Sequence, residues 1–221
     1  MLRSDRRFII FATGLAAVAG FVDALGFINM GGVFVSFMSG NSTRLGVGLA
    51  GSADFVSLLP GIIIAVFVAG VIAGSVIGHY NDRRRTPVIL SFITGLLLGA
   101  ALLHLNGHSF IATLLMAVAM GAENTIFEKN GEVKIGVTYM TGTLVKAGQR
   151  LAALFWGGSA SGWWRYALLW LGLVSGAIAG AVAYKTFGLS SLWIATGFSA
   201  ALAVSSIFMN FATFHTEPEQ S

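Results

Sequence analysis

The hexapeptide Val35-Ser36-Phe37-Met38-Ser39-Gly40 returns as Val137-Thr138-Tyr139-Met140-Thr141-Gly142. Val, Met and Gly are kept, and the other positions exchange Ser for Thr or Phe for Tyr. Four residues past each Gly stands a cation, Arg44 and then Lys146, and two further on another Gly, Gly46 and then Gly148. A match of this kind limits what the chain can fold into: one unit has been used twice. It also marks the two places where polar chemistry is kept within a very apolar sequence.

That sequence is 221 residues long, 56% hydrophobic and only 10% charged. Soluble domains carry about 25% charged residues, and a water-soluble fold of this size has too much surface to cover with so few. The expected class is an all-α integral membrane protein. Its apolar runs of about twenty residues lack the alternation of a membrane barrel. Six spans are expected: Phe8–Asn29, Phe55–Gly78, Pro87–Leu105, Ser109–Phe127, Trp164–Tyr184 and Leu189–Phe211. The basic N-terminus followed by an apolar run is read as a first membrane helix rather than a cleaved leader, because the chain stays hydrophobic to its end. The absence of Cys excludes disulfides, thiol catalysis and thiolate metal sites. The net charge of +4 comes from basic residues beside spans and gives no reason to expect a nucleic-acid partner. No metal or other cofactor is expected.

The internal match continues beyond the motif. Val68-Ala-Gly-Val-Ile-Ala-Gly-Ser-Val76 aligns with Val174-Ser-Gly-Ala-Ile-Ala-Gly-Ala-Val182, and Thr94-Gly95 with Thr196-Gly197. Gly20-Phe-Val-Asp23 aligns with Gly121-Ala-Glu-Asn124. The chain is thus read as one membrane domain, with repeat one over 8–105, repeat two over 109–211 and a flexible tail over 212–221. The basic residues Arg3, Arg6 and Arg7 and the cluster Arg83-Arg84-Arg85 should share the cytoplasmic face. An even number of crossings must then separate them. The motif stretches Gly31–Leu49 and Val133–Leu154 are therefore expected to be broken or re-entrant segments that do not cross. Three spans per unit put the two copies in opposite directions, a 3+3 inverted-topology repeat with both termini in the cytoplasm of a bacterial inner membrane.

Candidate binding residues follow from the motifs: Ser39, Gly40, Asn41 and Arg44 in the first, and Thr141, Gly142, Thr143 and Lys146 in the second. Ser39 and Asn41 suit a helix cap and Gly40 a bend, so each motif reads as an unwound turn leading into a short helix. Free N–H groups beside a cation favour an anion. The competing reading is that Arg44 and Lys146 reach to lipid head groups. Asp23, Glu123 and Asn124 are candidates for coupling or pairing, because carboxylates inside spans are costly and need a partner or a task. Asp23 pairing with Arg44, and so only bracing the loop, is the structural alternative. The ridges Gly70, Gly74, Gly78 and Gly176, Gly180 let helices approach closely. They serve packing within the chain or, alternatively, a homodimer. Trp156, Trp163 and Trp164 are read as an interfacial belt. His104 and His108 lack the neighbours of a metal site. Gly158-Ser-Ala-Ser-Gly162 is read as a loop rather than a nucleophile turn.

Gly20-Phe-Val-Asp23-Ala-Leu-Gly-Phe, Met38-Ser-Gly-Asn-Ser-Thr-Arg-Leu-Gly46, Met120-Gly-Ala-Glu-Asn124 and Thr138-Tyr-Met-Thr-Gly-Thr-Leu144 together resemble the YoaK family of bacterial multi-pass membrane proteins of unknown function. The resemblance spans nearly the whole chain and implies a multi-pass protein of about this size. Gln is usual in that family where this chain has Glu123. The resemblance supplies no substrate, so function rests on the residues. The leading reading is a small-solute transporter or channel, with the lipid bilayer and an anionic or zwitterionic solute as partners. The alternatives are a membrane enzyme acting on a lipid or isoprenoid, for which the acid and base set is thin, and a non-transporting assembly subunit.

Overall fold

The computed structural model describes residues 6–51, 54–129, 132–133, 138–157 and 162–209, without the side chains of residues 83, 129, 132 and 133. The expected tail, most of the Gly158–Gly162 loop, and Arg3 lie outside the described residues. The described chain is helical: α1 Arg6–Asn29, α2 Met38–Ala50, α3 Phe55–Tyr80, α4 Arg85–Leu105, α5 Ser109–Glu123, α6 Met140–Ala152, α7 Trp163–Phe187 and α8 Leu192–Phe208. A two-residue antiparallel ladder, β1 Glu128–Lys129 with β2 Glu132–Val133, interrupts the helices between α5 and α6.

Four stretches are long and apolar enough to cross a membrane: Arg6–Asn29, Phe55–Tyr80, Arg85–Leu105 and Trp163–Phe208. The last is broken by a 3-10 turn at Gly188–Ser191, which separates α7 from α8. α5 is apolar but has only 15 residues, about 22 Å at the helical rise. It stops at Glu123 rather than at the expected Phe127, because Asn124 to Phe127 form a turn. α8 likewise starts at Leu192, three residues later than expected.

Along the glycine ridges of α3 and α7 the small residues face inward and large apolar ones outward. Gly172, Gly176 and Gly180 are buried, while Leu171, Ile178 and Val182 of the same helix face outward. α3 does the same with Gly70, Gly74 and Gly78 inside and Val68, Ile72 and Val76 outside. In lipid, apolar residues gain nothing by turning inward, so close backbone approach decides which face is buried. α1 and α7 run parallel: a Cβ on Gly172, Gly176 or Gly180 would collide with the carbonyl oxygens of Thr13, Ala17 and Phe21 in turn. α3 and α5 also run parallel, with Gly70 against Val118 and Gly74 against Ala122. The glycine ridges are therefore spent inside the chain, which removes them as a homodimer face.

Two contacts orient the core. Phe8 at the start of α1 stacks edge-on with Phe127, just past the end of α5, at 5.1 Å between centroids. Asn29 at the end of α1 donates to Thr113 near the start of α5 at 3.1 Å. α1 and α5 are antiparallel. α4 packs on both α5 and α8 and carries a Thr94–Ser199 hydroxyl contact of 2.9 Å to the latter. α2 lies on α3 and α6 on α7. Of the four membrane-capable stretches α1 is the most enclosed, with more than half of its residues buried.

Candidate functional site

The first motif segment leaves α1 through Gly31 and Gly32, whose φ values of 64° and 100° carry the reversal that a side chain would strain. The bend is thus placed before the motif and not at Gly40. Residues 33–37 run without regular structure and α2 begins at Met38. Phe37 occupies the cap position with no side-chain cap bond, so neither Ser39 nor Asn41 caps the helix.

What holds this segment is Asp23. Its Oδ1 accepts the Val35 and Ser36 amides, both at 2.8 Å. Two N–H donors stabilise a carboxylate in a setting where water is scarce. The alternative pairing of Asp23 with Arg44 is not made. Arg44 instead donates to the Gly31 carbonyl at 3.4 Å, from an exposed position. Asp23 does brace the loop, but through the backbone. Asn41 adds a second brace. It is fully buried, with Nδ2 donating to Phe34 O at 2.7 Å and Oδ1 accepting Phe34 N at 3.0 Å. Such a two-way amide clasp satisfies both orphan groups of Phe34 at once. Ser39 is exposed and Gly40 half-buried, packed by the Phe34 and Phe37 rings.

The second motif has the same plan with different atoms. Asn124 follows α5 and accepts the Thr138 hydroxyl at 2.9 Å and the Thr138 amide at 3.5 Å through Oδ1. Its Nδ2 donates back to Met120 O at 3.0 Å. α6 starts at Met140 with Tyr139 in the cap position. Thr143 is buried, its hydroxyl donating to Tyr139 O at 3.1 Å. Thr141, Gly142 and Lys146 are exposed. Because α1 and α5 are antiparallel, the two motifs sit at opposite ends of the bundle. Arg44 belongs to the Asn29 end and Lys146 to the Phe8 end.

Glu123, beside Asn124, is 1% exposed, and neither of its carboxylate oxygens has a hydrogen-bond partner. It shares that condition, among the described residues, only with Arg165 Nε.

Two polar assemblies were not foreseen, although Asn29 stands out in the sequence as a polar residue near the end of the first span. At the Phe8 end Arg85, taken as a topology charge, is buried. Its Nη2 meets Glu128 Oε2 at 2.8 Å and its Nε donates to Thr125 O at 3.0 Å. Ser75 Oγ donates to the same Glu128 oxygen at 2.7 Å, and the guanidinium lies over Gly78. At the Asn29 end Tyr184 donates to Asn29 Oδ1 at 3.3 Å, and Asn29 continues to Thr113. The available signal was Glu128, an acid directly after an expected span, which needs a partner at low dielectric. The basic side chains also divide unevenly. Arg6, Arg7, Arg84, Arg85, Lys146, Arg150 and Arg165 belong to elements whose described ends meet at the Phe8 end, against Arg44 and Lys185 at the other. No group of three or more potential metal ligands occurs among the described residues.

The family described as "Protein of unknown function (DUF1275)" matches residues 11–205. The chain belongs to that family. It is 35% identical over 186 residues to the UPF0700 transmembrane protein RA0705 of Rhizobium meliloti (strain 1021), covering 84% of this chain and 80% of the relative. It is 30% identical over 137 residues to the UPF0700 transmembrane protein YoaK of Bacillus subtilis (strain 168), covering 59% and 61%. These relatives agree with a membrane protein in contact with lipid. No solved structure matches.

Proposed function

We propose that this member of the DUF1275 family is a small-solute transporter or channel of the bacterial inner membrane, built as a 3+3 inverted repeat with both termini in the cytoplasm. The observation that carries the proposal is the paired hold on the motif segments: Asp23 on Val35 and Ser36, Asn124 on Thr138. Broken backbone is tolerated at membrane depth where protein ties down its polar groups or where it lines a wet cavity, and transporters of this plan use such breaks as solute sites.

Other contacts support the inverted arrangement. Gly70 meets Val118 as Gly176 meets Ala17. Gly121 meets Phe67 as Gly20 meets Leu173. Each of these pairs maps onto the other by the sequence correspondence. The antiparallel α1 and α5 give the two copies opposite sense. The weight of basic residues at the Phe8 end orients that end to the cytoplasm. α2 and α6 are then segments that enter from opposite faces.

Within this reading Asn41 and Thr143 brace their segments. Ser39, Gly40 and Arg44 serve one mouth of the path, and Thr141, Gly142 and Lys146 the other. Two cations at two mouths favour an anionic or zwitterionic solute. An enzymatic role is less well supported, because Asp23 and Glu123 lie toward opposite ends of the bundle and do not converge on one substrate atom.

The test is solute uptake by purified protein in liposomes, with solutes chosen by thermal stabilisation against small anions, cations and neutral metabolites. Uptake that falls at least tenfold in both Arg44→Ala and Lys146→Ala, with the melting temperature kept, is the expected result. Equal uptake by both variants would remove the cations from the path. Absence of uptake for every stabilising solute would overturn transport itself.

A further inference from the structure

We propose that Glu123 is a proton-binding site, occluded in the arrangement seen here, which takes and releases its proton at the Phe8 end when the segment held by Asn124 moves. This rests on the transporter reading for its purpose, though the site itself stands on geometry. Thr113, Met116, Met120 and Glu123 recur at spacings of three, four and three and form one stripe of α5. All four are buried. Thr113 on that stripe bonds to Asn29 of α1, so the stripe turns toward the enclosed central helix. The aligned residue of the first half is Val22, which is also buried. A carboxyl group therefore occupies a core position that the other half fills with an alkyl side chain.

Among the described residues, none bonds to the Glu123 carboxyl group. Among the elements packed on α5, α1 brings Arg6, Arg7 and Asp23. α3 brings His79 and Tyr80 at its exposed end, and α4 brings Arg84, Arg85 and His104. None bonds to Glu123. Arg85 is committed to Glu128 and Thr125 O. Asp23 is committed to the first motif, toward the far end of α1. Glu123 is also the last residue of α5, where the helix presents its carbonyl groups and the negative end of its dipole. An ionised carboxylate buried beside such groups with no donor is strongly disfavoured against the protonated form. A metal cation would require some six oxygens. The amide oxygen nearest in the chain, Asn124 Oδ1, is engaged by both the Thr138 hydroxyl and its amide. A proton is the ligand that one carboxylate can hold alone.

The exit route follows from the chain. Asn124, next in the chain to Glu123, ties Thr138 to the end of α5 through three atoms, so release of that tie frees the turn that follows Glu123. Binding is the simple step in which a carboxylate oxygen takes a solvent proton, and release returns it.

The test uses full-length protein in lipid, read by infrared difference spectroscopy across pH. A protonated-carboxyl band that fades as pH rises and is missing from Glu123→Gln supports the site. Glu128→Gln is the control that should keep it. Spectra of the parent and Glu123→Gln that superimpose at every pH overturn it, whatever the transport result. In liposomes holding a pH dye, solutes found to be taken up should move protons with the parent, and at least tenfold less with Glu123→Gln. Solute uptake with no proton movement in the parent also overturns the coupling. If no solute is taken up while the band titrates as expected, the transporter reading fails and the proton site stands.

Discussion

The two motif segments are held by different chemistry for the same geometric purpose. In the first, an acid takes two backbone amides. In the second, an amide takes a hydroxyl and an amide and gives a bond back to its own helix. The difference continues one residue upstream, where Val22 in one half corresponds to Glu123 in the other. It recurs in how the ends are tied. A buried ion pair with two further donors closes the Phe8 end, and a neutral Tyr184–Asn29–Thr113 chain closes the other. Helix packing tolerates little change, because the glycine seams leave no room for a Cβ. The polar ties admit any pair that satisfies the same donors. Under the proposed repeat, the seams are kept while the two ends carry unequal charge.

The seams give the largest expected effect. Gly70→Leu and Gly176→Leu should each abolish recovery of monodisperse protein by size exclusion, because both insert a side chain into a neighbouring backbone. If only one of the two is lethal to folding, the halves are not packed equivalently. The ends should differ next. Arg85→Ala leaves Glu128 buried without its cation and should cost about 3–5 kcal/mol, seen as a large fall in melting temperature. Removing Glu128 as well should recover part of that loss. If the double variant is no better than the single one, the ion pair is not what locks this end.

Exchanging the holding residues sharpens the comparison further. Asp23→Asn keeps an acceptor for Val35 and Ser36 and should cost about 1 kcal/mol. Asn124→Asp also keeps its acceptor, but it strips Met120 O of its donor and sets a second carboxyl next to Glu123. It should cost about 1–3 kcal/mol, and more in melts at high pH than at low pH. Equal losses for the two exchanges would mean that Glu123 does not sense its neighbour. The smallest effect belongs to Tyr184→Phe, which removes one long hydrogen bond of 3.3 Å. About 1 kcal/mol or less is expected from the same melts.

Much of the architecture was legible. Long apolar runs located α1, α3, α4, α7 and α8 to within a few residues, and the repeated hexapeptide located the short helices α2 and α6. Asp23 and Asn124 were marked as special by being polar where apolar residues were expected. Their partners were not, since Asp23 binds backbone, and a backbone amide leaves no trace in a sequence. Arg85 was misjudged for a related reason. A cation beside two other cations looks like a solvated cluster, and nothing local distinguishes the one that turns inward. Gly40 was given a bend that belongs to Gly31 and Gly32, because several glycines lie near the break and only φ tells which carries it.

Composition and short-range pattern determined, without any coordinates, that this is a helical membrane protein with two matched polar breaks. Those properties are set by hydropathy along a single stretch and by identity between stretches. The tertiary structure alone decided that the glycine ridges face inward and, among the described residues, that Arg85 rather than Arg44 has an acid and that Glu123 has no hydrogen-bond partner. Each depends on which helices run beside each other and in which direction. Residues such as Asn29 and Tyr184, or Arg85 and Glu128, lie far apart in the chain and meet only through that packing.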